Sequence, residues 1–121
     1  WFGEKGILDK HYPSSNKPVL VEAVVAAAFL ITPQVLSKVG LLDEKYFMYF
    51  EDLDYCKRVN EAGLGVYYLP TSEVIHYHGA SGKGSLANKY LISSSKKYFG
   101  IFRYYIYTFI LWSGQKLKKQ F

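Results

Sequence analysis

Phe47-Met48-Tyr49-Phe50-Glu51-Asp52-Leu53-Asp54-Tyr55-Cys56-Lys57-Arg58 is the stretch on which the reading of the fold turns. It sets three carboxylates against an aromatic run, a site-like density of titratable groups. A helix from Glu51 to Ala62, with Gly63 at its C-terminal end, is the strongest local prediction. On it Asp52, Tyr55, Cys56 and Val59 fall at i, i+3, i+4 and i+7, one stripe of a helix whose other members are the less polar ones. Asp52 is therefore expected to point toward the protein body. Asp54 and Arg58 lie off that stripe as an i, i+4 pair, worth roughly 0.3–0.5 kcal/mol at a helix surface. The helix macrodipole favours acidic residues in a first turn and accounts for Glu51 and Asp54 better than for Asp52.

Working outward, residues 1–18 hold Gly3, Gly6, Pro13, Ser14, Ser15, Asn16 and Pro18 and read as an irregular lead-in. The run from Val19 to Ile31 is small or β-branched and almost uncharged, as in a strand buried on both faces. Thr32 can cap and Pro33 can open a short helix to about Val39, which Gly40 can close. Val66–Leu69 and Glu73–His78 read as short strands around Pro70, 79–85 as a glycine and serine loop, and Leu86–Tyr98 and Ile101–Trp112 as helices separated by Gly100. On a strand, His76 and His78 share one face, a spacing used when two imidazoles share a metal or flank a polar pocket. Two histidines are too few to define a metal site, and such a pair at a strand end is more often a hydrogen-bonded rim.

The 121 residues, half of them hydrophobic, suffice for one modest core. The lone Cys56 cannot form an internal disulfide and is expected to pack in the core. The chain begins at Trp1 without a secretory signal pattern, and its start reads as trimmed or internal. The net charge of +5 is unevenly spread: residues 1–73 hold all ten acidic residues and seven basic ones, whereas 74–121 hold eight basic residues and no acidic one. Such a cationic block suits an anionic partner: a membrane surface, a phosphorylated substrate or nucleic acid.

The ordered set Val21-Glu22-Ala23-Val24-Val25-Ala26-Ala27, Val39 through Arg58, Ala62-Gly63, Tyr68-Leu69-Pro70 and His76-Tyr77-His78-Gly79-Ala80-Ser81 resembles the C-terminal half of family 2 glycosyltransferases, above all the bacterial rhamnosyltransferase-like members. The likeness runs over about residues 19–95. It implies an α/β fold, the acceptor-side portion of a GT-A nucleotide-sugar transferase, followed by amphipathic helices in a basic aromatic tail, 96–121. It implies further that Asp52 is the general base that accepts the acceptor hydroxyl's proton during inverting attack on the anomeric carbon, with Glu51 and Asp54 supporting it. Glu51, Tyr49 and Arg58 are the expected acceptor contacts. A divalent ion, Mg or Mn, is implied on the donor diphosphate, with His76 the better match to the metal-binding histidine and His78 the second. The family commonly has glycine where this chain has Ala26. No Asp-x-Asp motif precedes the match, so no nucleotide-binding residue is assigned here, and the chain reads as a C-terminal part that is inactive without the other half.

The expected partners are thus a nucleotide-sugar donor and a glycan or lipid-linked acceptor, in cell-surface polysaccharide synthesis in the cytoplasm or at the inner face of the membrane. Residues 98–119 combine aromatic residues with Lys116, Lys118 and Lys119, which suits an anionic membrane surface, although Arg103 interrupts the apolar run and leaves it too short to span a bilayer. Packing on a missing half, or self-association through exposed apolar surface, accounts for the same helix equally well. Nucleic acid is disfavoured, because the aromatics form a continuous apolar helix rather than a platform interleaved with charge. A non-catalytic binding or oligomerisation module that keeps the acceptor-side fold is the competing reading. A His-x-His metal hydrolase lacks further ligands.

Overall fold

The computed structural model describes residues 15–75 and 85–118. In chain order these form strand β1 (Val19–Val21), helix α1 (Pro33–Val39), helix α2 (Glu51–Glu61), strand β2 (Val66–Tyr68), helix α3 (Ser85–Phe99) and helix α4 (Ile101–Lys118). The two strands pair antiparallel, Val19 opposite Tyr68, Leu20 opposite Tyr67 and Val21 opposite Val66. The described part is thus mixed helical with a small two-stranded sheet, a composition compatible with an α/β fold.

Local chemistry sets the helix ends. The Thr32 hydroxyl accepts from the Val35 amide at 3.4 Å, Pro33 occupies the first turn, and the Gly40 amide donates to the Leu36 carbonyl to end α1. At the end of α2 the Leu64 amide reaches the Val59 carbonyl and the Gly63 amide that of Asn60, a Schellman motif. It requires the left-handed backbone that Gly63 adopts at φ 72° without a Cβ penalty.

Helix α2 is the centre of the structure. Its Tyr55, Cys56 and Val59 are buried, together with Tyr46 and Phe50 from the approach to the helix. The Tyr55 hydroxyl donates to the Gly40 carbonyl at 2.8 Å and so ties α2 to the end of α1. The buried Cys56 thiol fills core, and burial pushes its pKa up, which keeps it protonated and unreactive.

The expected strand from Val19 to Ile31 is corrected to its first three residues. Beyond Val21 the backbone finds no neighbouring strand among the described residues and instead runs antiparallel along α2. The Asn60 amide donates to the Glu22 carbonyl at 2.9 Å, the Cys56 thiol lies 4.0 Å from the Val24 carbonyl, and the Ala26 amide donates to Asp52 at 3.3 Å. Two residues of extended chain advance about 6.7 Å and four residues of helix about 6 Å, so side chains at i, i+4 and i+8 meet every second residue of the segment. Side chains of α2 thereby take the place of a ladder partner. The opposite side stays open: Val25 is 75% exposed and Leu30 85%, which rules out burial on both faces.

The second expected strand is also corrected. Glu73, Val74 and Ile75 are irregular and exposed, and the remainder of that segment, with His76 and His78, lies outside the described residues, as does the 79–84 loop. Helices α3 and α4 form where expected, joined at Gly100 with φ 79°, but α4 runs on past the expected end at Trp112 to Lys118.

Candidate active site at the start of helix α2

The chain enters α2 through an unusual turn. Tyr49 and Phe50 are both left-handed, at φ 67° and 68°, a conformation that costs an L-residue roughly 1–2 kcal/mol each. Packing against α3 offsets that cost. The buried Phe50 ring lies 5.2 Å from that of Tyr98 and 5.5 Å, edge-on, from that of Phe99. The buried Ser94 hydroxyl donates to the Met48 carbonyl at 2.7 Å, and the Lys97 ammonium donates to the Lys45 carbonyl. Helix α3 therefore holds the turn that aims the first residues of α2.

Phe50 has no side-chain oxygen with which to cap, so the exposed amides at the helix start depend on other groups. Asp52 serves: one carboxylate oxygen accepts from the Leu53 amide at 2.8 Å and the other from the Ala26 amide at 3.3 Å. Its carboxylate is half-buried, on the same stripe as the buried Tyr55, Cys56 and Val59, beside the exposed turn at Ala26, Ala27 and Ala28. Two fixed amide donors orient the group, and each oxygen retains a lone pair for a further donor. Ala26 thus supplies through its backbone amide one of the two bonds that hold the carboxylate.

Glu51 has a different environment. Its Oε2 is buried with no hydrogen-bond partner, and burial pushes the carboxyl pKa up, with the Asp52 charge adding to the rise and a backbone hydrogen bond opposing it. Such a carboxyl holds its proton more tightly folded than unfolded, so folding stability falls as pH rises above the ordinary value of 4.5. Glu51→Gln is therefore expected to melt higher than the parent at pH 7, by less than about 1 kcal/mol because solvent screens a partly exposed group. The difference should vanish on the acid side of 4.5. Paired thermal melts at the two pH values check this, and a lower melt for the variant at pH 7 would contradict it.

Asp54 and Arg58 pair at 2.9 Å as their spacing predicts, but the expectation of a solvent-exposed surface pair is corrected. The side chains are only 14% and 29% exposed. The Tyr46 hydroxyl donates to Asp54 at 3.3 Å and the Lys45 ammonium lies 3.5 Å away. Arg58 also donates to the Val39 and Leu41 carbonyls, each at 3.1 Å, and its guanidinium stacks 4.9 Å from the Tyr55 ring centre. Arg58 thus has partners within the protein on three nitrogens and joins α2 to the end of α1. Burial is the main cause that raises the Tyr46 pKa, and the neighbouring Asp54 charge adds to it, so the phenol remains a donor to that carboxylate.

Among the described residues no cluster of three or more His, Cys, Asp and Glu side chains could hold a metal ion. Tyr49 is half-buried in the strained turn, one residue before Phe50. Asp52, Glu51 and Tyr49 were legible as one helix start; the roles of Ser94, which a contact across 46 residues brings to the turn, and of Tyr46, which donates to Asp54 eight residues on, were not. No local signal marks Ser94. Tyr46 carried one, as part of the aromatic run.

No family model matches the chain, and no solved structure matches it at a significant level. Curated proteins do. Over 55 residues, 46% of this chain, it is 38% identical to the N-acetylglucosaminyl-diphospho-decaprenol L-rhamnosyltransferase of Mycobacterium tuberculosis, 18% of which is covered. The chain is locally similar to rhamnosyltransferases. It is 45% identical over 40 residues to rhamnosyltransferase WbbL of Escherichia coli, a stretch of 33% of this chain and 15% of that protein. It is 23% identical over 77 residues to the dTDP-rhamnosyl transferase RfbF of Shigella flexneri, or 63% of this chain and 26% of that one. The matches thus span about a quarter or less of these relatives, and they support a glycosyltransferase-like function at the level of the family.

Proposed function

We propose that this chain is the acceptor-side part of a GT-A-type glycosyltransferase, in which Asp52 is the general base for inverting transfer from a nucleotide-sugar donor to a glycan or lipid-linked acceptor. The observation that carries the reading is the Asp52 carboxylate, half-buried and oriented by the Leu53 and Ala26 amides beside an exposed turn. The local likeness to rhamnosyltransferases supports the reaction class. An acceptor hydroxyl within about 3 Å of Asp52 gives up its proton to the carboxylate as its oxygen bonds to the anomeric carbon. The bond from that carbon to the diphosphate breaks, and the nucleoside diphosphate leaves with the electron pair. Glu51 and Tyr49 flank the acceptor on this reading, whereas Arg58 acts by holding α2 in place. A divalent ion at the donor diphosphate finds no ligand cluster among the described residues, and His76 and His78 lie outside them.

The donor half belongs, on this reading, to a longer polypeptide in which this segment is the C-terminal part, at work in the cytoplasm or at the inner membrane face. Names of relatives make dTDP-rhamnose the first donor to test and a diphospho-polyprenol-linked N-acetylglucosamine the first acceptor. The longer polypeptide is expected to release dTDP only when the acceptor is present, and to form a product whose anomeric configuration, read by NMR, is inverted. A product with retained configuration would reject Asp52 as a general base, and no transfer from any nucleotide sugar would reject the reaction class.

A further inference from the structure

Helix α4 carries a strip of apolar side chains that nothing in the described structure covers. Ile101, Phe102, Tyr105, Ile106 and Phe109 line a shallow groove along one side of the helix, and the exposed Trp112 ring, 6.1 Å from that of Phe109, continues it. At 100° per residue these six fall within less than half the circumference, and they extend over about 16 Å of helix. Phe102 is 78% exposed and Phe109 65%. Helix α4 packs against α3 near their junction, where the Phe99 and Tyr107 rings meet edge-on at 5.2 Å, on the side away from the strip.

Two ammonium groups flank the strip, Lys96 of α3 beside Tyr105 and Lys116 beyond Trp112. Lys96 donates to the Tyr105 hydroxyl at 3.3 Å and lies 5.2 Å from the Tyr104 and Tyr105 ring centres, and Lys116 lies 4.3 Å from the Trp112 ring. Among the described residues the ion pairs involve Lys45, Lys57 and Arg58, and no carboxylate partners either lysine. None occurs in the sequence after Glu73. The aliphatic hydroxyls on α4 are also satisfied without water: Thr108 donates to the Tyr104 carbonyl at 2.8 Å and Ser113 to those of Phe109 and Ile110 at 2.9 Å. An apolar surrounding therefore leaves neither of these aliphatic hydroxyls unpaired.

These features together select the occupant. We infer that α4 lies in the plane of an anionic lipid surface, its Phe102–Phe109 strip in the acyl boundary and Lys96 and Lys116 against headgroup phosphates. Aromatic rings with terminal cations and no acidic residue are what the interface between phosphate and hydrocarbon accommodates. A second copy of this chain is the poorer occupant, because an antiparallel pairing of two strips sets Lys96 of one against Lys116 of the other with no carboxylate between them. The helix lies on the membrane rather than through it, since no described helix is long and apolar enough to cross one. The inference stands on α4 and on Lys96 of α3, and not on the catalytic reading.

The test uses the whole chain with Trp1→Phe, which leaves Trp112 as the only indole. It is expected to sediment with vesicles rich in phosphatidylglycerol far more than with phosphatidylcholine vesicles, with the Trp112 emission shifted to the blue, and to be released by salt. Lys96→Gln and Lys116→Gln should each weaken partition about fivefold. Phe102→Ser with Phe109→Ser, both exposed, should weaken it at least tenfold with an unchanged circular dichroism spectrum. Equal sedimentation with both vesicle types, or with neither, would overturn the inference. So would phosphatidylglycerol binding that the phenylalanine variants leave intact, since charge alone would then suffice. Dimerisation by light scattering that the phenylalanine variants abolish, without vesicle binding, would assign the strip to a second copy instead.

Discussion

Asp52→Asn is expected to lower kcat about 10²–10⁴-fold in the longer polypeptide proposed to carry this segment, the range that general-base assistance typically contributes. The substitution keeps the size of the side chain and removes its basicity. One carboxylate oxygen accepts from Leu53 and the other from Ala26, so the amide can keep one of those bonds and must give up the other. The structural cost is then about 1 kcal/mol, that of one exchanged hydrogen bond, too small to mimic a loss of activity by unfolding. Donor affinity should be unchanged, because Asp52 faces the acceptor on this reading. Single-turnover kinetics, a donor-binding isotherm and a thermal melt on the same sample separate the three effects. Near-normal turnover in Asp52→Asn would remove the residue from the chemistry, and a melt lowered by several kcal/mol would make its two amide contacts its main role.

The parts of this structure that were legible in the sequence are those fixed by neighbouring residues. Thr32-Pro33 and the Gly63 and Gly100 positions act over one helical turn, so helix ends follow from them directly. The Tyr55, Cys56 and Val59 stripe likewise needs only the helical period to appear as core. The run after Val21 was not legible, because an apolar segment becomes a strand only where another strand accepts its backbone. Here the acceptors and donors are Asn60, Cys56 and Asp52 on a helix. The left-handed pair at Tyr49 and Phe50 was hidden for a related reason. Nothing in two aromatic residues favours positive φ; the rings of Tyr98 and Phe99, some fifty residues on, and the Ser94 bond to Met48 hold the turn. The carboxylate stripe was thus readable, while the strained turn that aims it was a product of tertiary packing.

Asp54→Ala is expected to destabilise the chain by about 2 kcal/mol, several times what its i, i+4 spacing to Arg58 suggests for a helix surface. The difference lies in what surrounds the pair. Tyr46 is buried against Asp54 and donates to it, and Arg58 reaches the Val39 and Leu41 carbonyls, so neither charge has water as a ready replacement. Removal of the carboxylate leaves a half-buried guanidinium and a buried phenol without their shared acceptor, and it is the abandoned partners that set the cost. At this chain length about 2 kcal/mol corresponds to roughly 8 °C in Tm. Arg58→Ala should cost at least as much, since it also frees the two carbonyls at the end of α1. The double variant should cost less than the sum of the two, because each single change already breaks the same contact. Thermal melts of the three variants beside the parent measure this directly. An unchanged melt for Asp54→Ala, or strict additivity in the double variant, would return the pair to the status of a solvated surface contact and leave the Arg58 bonds to the α1 carbonyls as the sole link it makes between the helices.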